Sequence, residues 1–177
     1  MKKLKKILVA LLLLLIALAV VSQFLPSKFI IERSVEIAAK PDDVFPWVNN
    51  LKKWPEWSAW TVAKDATLVN TYDGPEEGAG AVSRWASKKM GNGQMTITAS
   101  DLKKGISFDL SFDDGNYLSK AVFTFEPAGD GTKVTWTVSG NVGRNPVGRY
   151  LSLFMDSMMG KDFEEGLAGL KAKAENK

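Results

Sequence analysis

Ile37-Ala-Ala-Lys-Pro-Asp-Asp-Val-Phe-Pro-Trp-Val-Asn-Asn-Leu-Lys-Lys-Trp-Pro-Glu-Trp-Ser-Ala-Trp60 is the stretch on which the reading of this 177-residue chain turns. The alternation in front of it, Phe29 to Ile37, puts Ile31, Arg33, Val35 and Ile37 on one side of a strand. Pro41 suits a first helical position, and Asp42 and Asp43 complement the positive end of the helix. Pro46 follows about five residues on, where the loss of its N–H predicts a kink or a restart. Leu51 to Trp57 reads as a second short helix, interrupted by Pro55.

Downstream, apolar runs alternate with turn residues. Thr67–Tyr72, Ala79–Ala86, Gln94–Ser100, Ile106–Phe112, Leu118–Pro127 and Lys133–Val142 read as strands. Gly91-Asn92-Gly93, Asp113-Asp114-Gly115-Asn116 and Gly129-Asp130-Gly131 read as tight turns, because Asn-Gly and Asp-Gly supply positive φ. Ile106, Phe108, Leu110 and Phe112 share a face, as do Ala121, Phe123 and Phe125, and Val134, Trp136 and Val138. The last element is one long helix from Pro146 to about Ala174, with Leu151, Phe154, Met155, Met158, Phe163, Leu167 and Leu170 at helical spacing. Gly160, Gly166 and Gly169 each cost that helix about 1 kcal/mol relative to alanine, so it depends on packing against the sheet.

Upstream, Lys2, Lys3, Lys5 and Lys6 precede an apolar run from Ile7 to Val21, with Phe24 and Leu25 beyond. A helix over Ile7–Leu25 is roughly 28 Å long, close to the hydrocarbon thickness of a bilayer. Ala17-Leu18-Ala19 also fits a signal-peptidase site, but the apolar residues continue past it, which favours an uncleaved anchor. Residues 1–26 are therefore expected to be a Lys-rich cytoplasmic tip and a transmembrane anchor, and residues 27–177 a folded domain on the outer, periplasmic side. A spacer of Pro26, Ser27 and Lys28 holds that domain against the bilayer.

Without those four lysines, 19 basic residues face 20 acidic ones. The domain then has no basic stripe for nucleic acid. The chain has no Cys and no His, so disulfides, Cys/His metal sites, Ser-His-Asp and Cys-His triads and a histidine base are excluded. Nothing in the sequence calls for a cofactor or a metal.

This order of strand, short helix, Trp-rich second helix, hairpins and late helix resembles the START-like helix-grip superfamily. That group includes the polyketide cyclases/dehydrases, the Bet v 1-like pollen allergens and lipid-transfer domains. Gly143-Arg-Asn-Pro-Val-Gly-Arg-Tyr-Leu-Ser-Leu-Phe-Met-Asp-Ser-Met-Met-Gly-Lys-Asp-Phe-Glu-Glu-Gly-Leu167 and Tyr72-Asp-Gly-Pro-Glu-Glu-Gly-Ala-Gly-Ala81 resemble the same stretches of its small membrane-anchored members. The likeness covers about residues 28–174. It implies an α+β fold in which a curved antiparallel sheet of about seven strands wraps a long C-terminal helix and leaves a cavity for a lipophilic molecule.

Each candidate residue has a plainer reading beside it. The six tryptophans serve first as core, but Trp85 and Trp136, with apolar neighbours at period two, suit a pocket wall. Phe108, Leu110 and Phe123 are expected beside them, with Phe154, Met155 and Met158 lining the lid helix, where methionine adapts to varied guests. Gly74, Gly78 and Gly80 are turn glycines, since no phosphate-binding Lys or helix follows. Arg84 is the first residue to mutate for catalysis, although no acid–base pair or catalytic constellation accompanies it. The leading expectation is a membrane-tethered binding protein for a lipid-like or polycyclic molecule. The alternatives are a cyclase/dehydrase-type enzyme, or a protein-partner module with an exposed apolar patch on Trp54–Trp60.

Overall fold

The computed structural model describes residues 2–176. Met1 and Lys177, the outer bounds of the two expected segments, lie outside the described residues. Helix α1 (Lys2–Ser22) leads into β1 (Lys28–Ile37), α2 (Pro41–Asn49), a 3₁₀ segment (Leu51–Glu56) and six further strands. These are β2 (Val69–Asp73), β3 (Val82–Ser87), β4 (Gly91–Asp101), β5 (Gly105–Phe112), β6 (Tyr117–Ala128) and β7 (Gly131–Asn141). Helices α3 (Pro146–Ser152) and α4 (Met155–Glu175) follow.

All seven strands form one antiparallel sheet in the order β1-β7-β6-β5-β4-β3-β2. The register shift between Ile97 and Ala99 is a bulge, which bends β4 against β5. Strand parity then defines one inner face. It carries Ile31 and Arg33 opposite Val138 and Trp136, Phe123 opposite Ile106, Phe108 opposite Ala121, and Met95 opposite Leu110 and Ser83. Helix α4 lies across this face, burying Phe163, Leu167 and Leu170.

Three local expectations are corrected. Helix α2 runs through Pro46 unbroken, because a proline in its second turn forfeits a single hydrogen bond while Val44 and Val48 are buried on either side. Gly91-Asn92-Gly93 is strand, and the turn falls at residues 88–90, where Ser87 Oγ accepts from the N–H groups of Lys89 and Met90. Gly93 is there for space, since a Cβ would lie 2.2 Å from the ring of Trp85. The single late helix is two, broken at Leu153–Phe154.

The break lets the two pieces do different work. Helix α4 packs on the sheet, whereas α3 is fixed to the end of α1. Arg149 Nη1 donates to the carbonyls of Gln23 (2.6 Å), Leu25 (3.1 Å) and Ser22 (3.3 Å). Tyr150 Oη donates to the Leu18 carbonyl at 3.0 Å and Ser152 Oγ to that of Pro26 at 3.0 Å. Carbonyls at a helix C-terminus lack partners of their own and carry the negative end of its dipole, so a guanidinium suits them.

Candidate functional site

The space between sheet and helix has two unlike ends. At the end away from α1, aromatic rings fill it. Trp136 is sandwiched between Phe163 (centroids 4.1 Å, 7° between planes) and Phe123 (4.8 Å, 27°). Trp54 and Trp57, from the 3₁₀ segment and its end, pack 4.8 Å apart and set their edges against Trp136 and Phe123. Trp60 adds an edge to Trp136 and to Phe163. The indoles of Trp54 and Trp57 donate to the carbonyls of Val48 and Trp47, both at 3.0 Å. Trp136 Nε1, by contrast, is buried without a hydrogen-bond partner.

At the end beside α1 the inner face is apolar but incompletely covered. Phe29, Trp85, Leu110, Phe112, Met155 and Met159 are half-buried there, where β1 begins and β5 ends. Sequence reasoning did not single out Phe29, although it continues the parity of Ile31, Arg33 and Val35 by one step.

The expected ligand-binding residues therefore divide. Phe108, Phe123 and Trp136 come together in the aromatic plug, and Leu110 and Met155 border it. Trp85 stands apart, edge-on to Phe112 at 5.6 Å. Phe154 and Met158 are exposed and do not line the interior. Arg84 points to the outer face, donating to Gln94 and Asp73, because its neighbours Ser83 and Trp85 hold the inner parity. The Trp54–Trp60 segment offers no exposed apolar patch, since Trp54 and Trp57 are buried. Their spacing of three, which a 3₁₀ turn stacks on one side, was the signal that they enter the interior.

The inner-face cation is Arg33. Its guanidinium donates to Glu164 (2.7 Å) and to both oxygens of Asp156 (2.8 and 3.1 Å). These hydrogen bonds raise the pKa of the arginine and hold the Asp156 carboxyl below its usual range. Gly160 admits this group to the helix, for a Cβ there would lie 2.0 Å from Arg33 Nη2. A hollow of about 180 Å³ at the opposite end, bordered by Leu51, Tyr72, Asp73, Pro75 and Ala81, contains none of the expected ligand residues. Among the described residues no group of three His, Cys, Asp or Glu could hold a metal ion.

A seven-stranded antiparallel sheet closed over a C-terminal helix is the helix-grip fold. Residues 28–175 match the family model described as polyketide cyclase/dehydrase and lipid transport, and the chain belongs to that family. No curated protein matches the chain. Among solved structures it is similar to the di-domain aromatase/cyclase StfQ of the steffimycin biosynthetic pathway (13% identity, TM-score 0.63), covering 84% of this chain and 51% of that one. It is also similar to a protein from Thermus thermophilus (19% identity, TM-score 0.57, covering 82% and 96%). A third is the Aha1 dimer of Colwellia psychrerythraea (16% identity, TM-score 0.56, covering 83% and 96%). At these identities the likeness shows the fold.

Proposed function

We propose that residues 27–177 form a binding module for a hydrophobic, lipid-like or polycyclic molecule, tethered to the outer face of the cytoplasmic membrane by residues 1–26. The observation that carries this reading is the asymmetry of the interior. The aromatic plug is the floor of the site, and Phe29, Leu110, Phe112, Trp85, Met155 and Met159 are its walls, opening beside the anchor. Helix α1 is long and apolar enough to cross a membrane, with a mean hydropathy of 2.8. An apolar guest is most concentrated in the bilayer, so a mouth beside the anchor shortens its path. The family description, which names lipid transport, supports the same reading.

Catalysis of the cyclase or dehydrase type has less support. Arg84 faces away from the interior, and Arg33 is already held by two carboxylates.

The test is native mass spectrometry of the full chain released from its own membrane, followed by organic extraction. A discrete adduct is expected in the native chain. It should be lost in Leu110→Trp, which fills the site, and kept in Leu118→Trp, where the residue lies exposed on the opposite face of the sheet. An adduct indifferent to Leu110→Trp would refute this location.

A further inference from the structure

The apolar surface that the interior does not use is concentrated at the α3–α4 junction. Val147, Leu151, Leu153, Phe154 and Met158 are all exposed there, Phe154 at 57%, and Phe24 at the end of α1 is 85% exposed. Polar groups of the same stretch have partners within the protein, although the Asp156 side chain stays 58% exposed. Asp156 is engaged with Arg33, Ser152 Oγ with the Pro26 carbonyl, and Ser157 Oγ with the carbonyl of Phe154. Outward beside them stands a run of large hydrocarbon side chains with no protein over them.

The position of this run along α1 indicates what covers it. The apolar part of α1, Ile7–Ser22, is about 24 Å long, so a hydrocarbon core of about 30 Å that starts beyond the lysines reaches to the end of the helix and past it. Helix α3 is pinned to that end by hydrogen bonds to the carbonyls of Leu18, Ser22, Gln23, Leu25 and Pro26. Leu18 lies four residues before Ser22, so the contact reaches about 6 Å below the end of the helix. Amphipathic helices that lie in a membrane surface sink about 5–10 Å into the headgroup boundary. The exposed cations Lys28 and Arg144 lie where α1 ends and α3 begins, Lys28 opposite Asn141 and the Arg144 carbonyl accepting from Gln23 at 3.4 Å. Both would meet anionic headgroups.

We infer that α3 and the first turn of α4 form a second membrane contact, in which Val147, Leu151, Leu153, Phe154 and Met158 enter the outer leaflet beside α1. This rests on the reading of α1 as a membrane anchor. The anchor alone would leave the domain free to tilt. The α3 contact fixes its attitude and holds the half-open end of the interior, with Phe29 one strand-step from the tether, at headgroup level.

The absence of cysteine makes depth measurable. Leu13→Cys, Leu151→Cys, Phe154→Cys and Asp130→Cys, each the only thiol of the full-length chain, would be spin-labelled. They would be reconstituted into vesicles of phosphatidylcholine and phosphatidylglycerol, and collisions with oxygen compared with those of a water-soluble nickel chelate. The expected result is a deep label at Leu13, shallow labels about 5–10 Å down at Leu151 and Phe154, and a fully aqueous label at Asp130. A deep Leu13 with Leu151 and Phe154 as aqueous as Asp130 overturns the inference and leaves the anchor standing. Labels at Leu151 and Phe154 shielded from both reagents overturn it in favour of a protein partner. An aqueous Leu13 overturns the anchor reading and this inference together.

Discussion

Replacing Gly169 by alanine sets two known effects against each other. In an isolated helix the change favours folding by about 1 kcal/mol. Here a Cβ at that position would stand 2.2 Å from the Trp57 carbonyl oxygen, 3.0 Å from its carbon and 3.2 Å from its Cα. All three are backbone atoms, so no rotamer change relieves the contact. Helix α4 must retreat by about 1 Å or more to regain ordinary contact distance, loosening Leu167, Leu170 and the Trp57–Trp136 edge contact. Overpacking of this kind costs about 1–3 kcal/mol, and the upper end applies where neither partner can turn away. Subtracting the helix-propensity gain leaves a net loss of about 2 kcal/mol, a fall in Tm of roughly 4–8 °C for a chain of this size. Thermal unfolding of the detergent-solubilised chain, followed by near-ultraviolet circular dichroism of the tryptophans, measures it. Gly160→Ala is the matched comparison, because its obstacle is the movable guanidinium of Arg33, and a net change within about 1 kcal/mol is expected. A Gly169→Ala chain that melts at or above the native temperature would refute the argument that close backbone approach, not helix propensity, decides this position.

Other expectations follow from single contacts. Trp136→Phe should cost about 1 kcal/mol less than Trp54→Phe in urea unfolding, since Trp136 Nε1 has no partner to lose while Trp54 donates to the Val48 carbonyl; equal losses would contradict this. Buried Asp65 accepts from Ser87 Oγ and from the Thr67 hydroxyl and N–H, which lower its pKa to about 2. Its contribution is fully present above about pH 4, the unfolded value, and is lost as pH falls towards about 2. Asp65→Asn should therefore flatten the acid limb of the stability curve in that window, and an unchanged limb counts against it. Arg149→Ala frees three carbonyls at the end of α1, so trypsin should cut at Lys28 faster than in the native chain; equal cleavage rates would show that the guanidinium does not hold this junction.

The strands of the central hairpins were legible because one side of each faces a dry interior, and Ile106, Phe108 and Leu110, or Val134, Trp136 and Val138, could take no other parity. The division of the late helix was not legible. Leu151, Met155 and Met158 keep helical spacing across the break, and the contacts that divide it come from Leu18 to Pro26, more than 120 residues away. Arg84 was singled out on chemistry alone, while the parity of Ser83 and Trp85 turns it outward. Arg33 carried the correct parity beside Ile31 and Val35, but its carboxylate partners lie on the distant α4. The residues expected of the site part into a packed group and a half-buried or exposed group for a related reason. Period two locates an interior face, but it does not say which part of that face other side chains fill.

The stacked rings around Trp136 have a kinetic consequence. On the proposed binding function, a guest that extends beyond the half-open end would have to wait for Trp54, Trp57 or Phe163 to swing away, and its apparent affinity would be its intrinsic affinity multiplied by the fraction of time the rings are parted. If they part about 1% of the time, binding weakens about a hundredfold, and the rate of uptake levels off with concentration at the rate of opening. The same rings then close behind the guest and slow its escape. On the proposed binding function, cargo would leave on the timescale of the core's own motion, as from a reservoir more than from a shuttle.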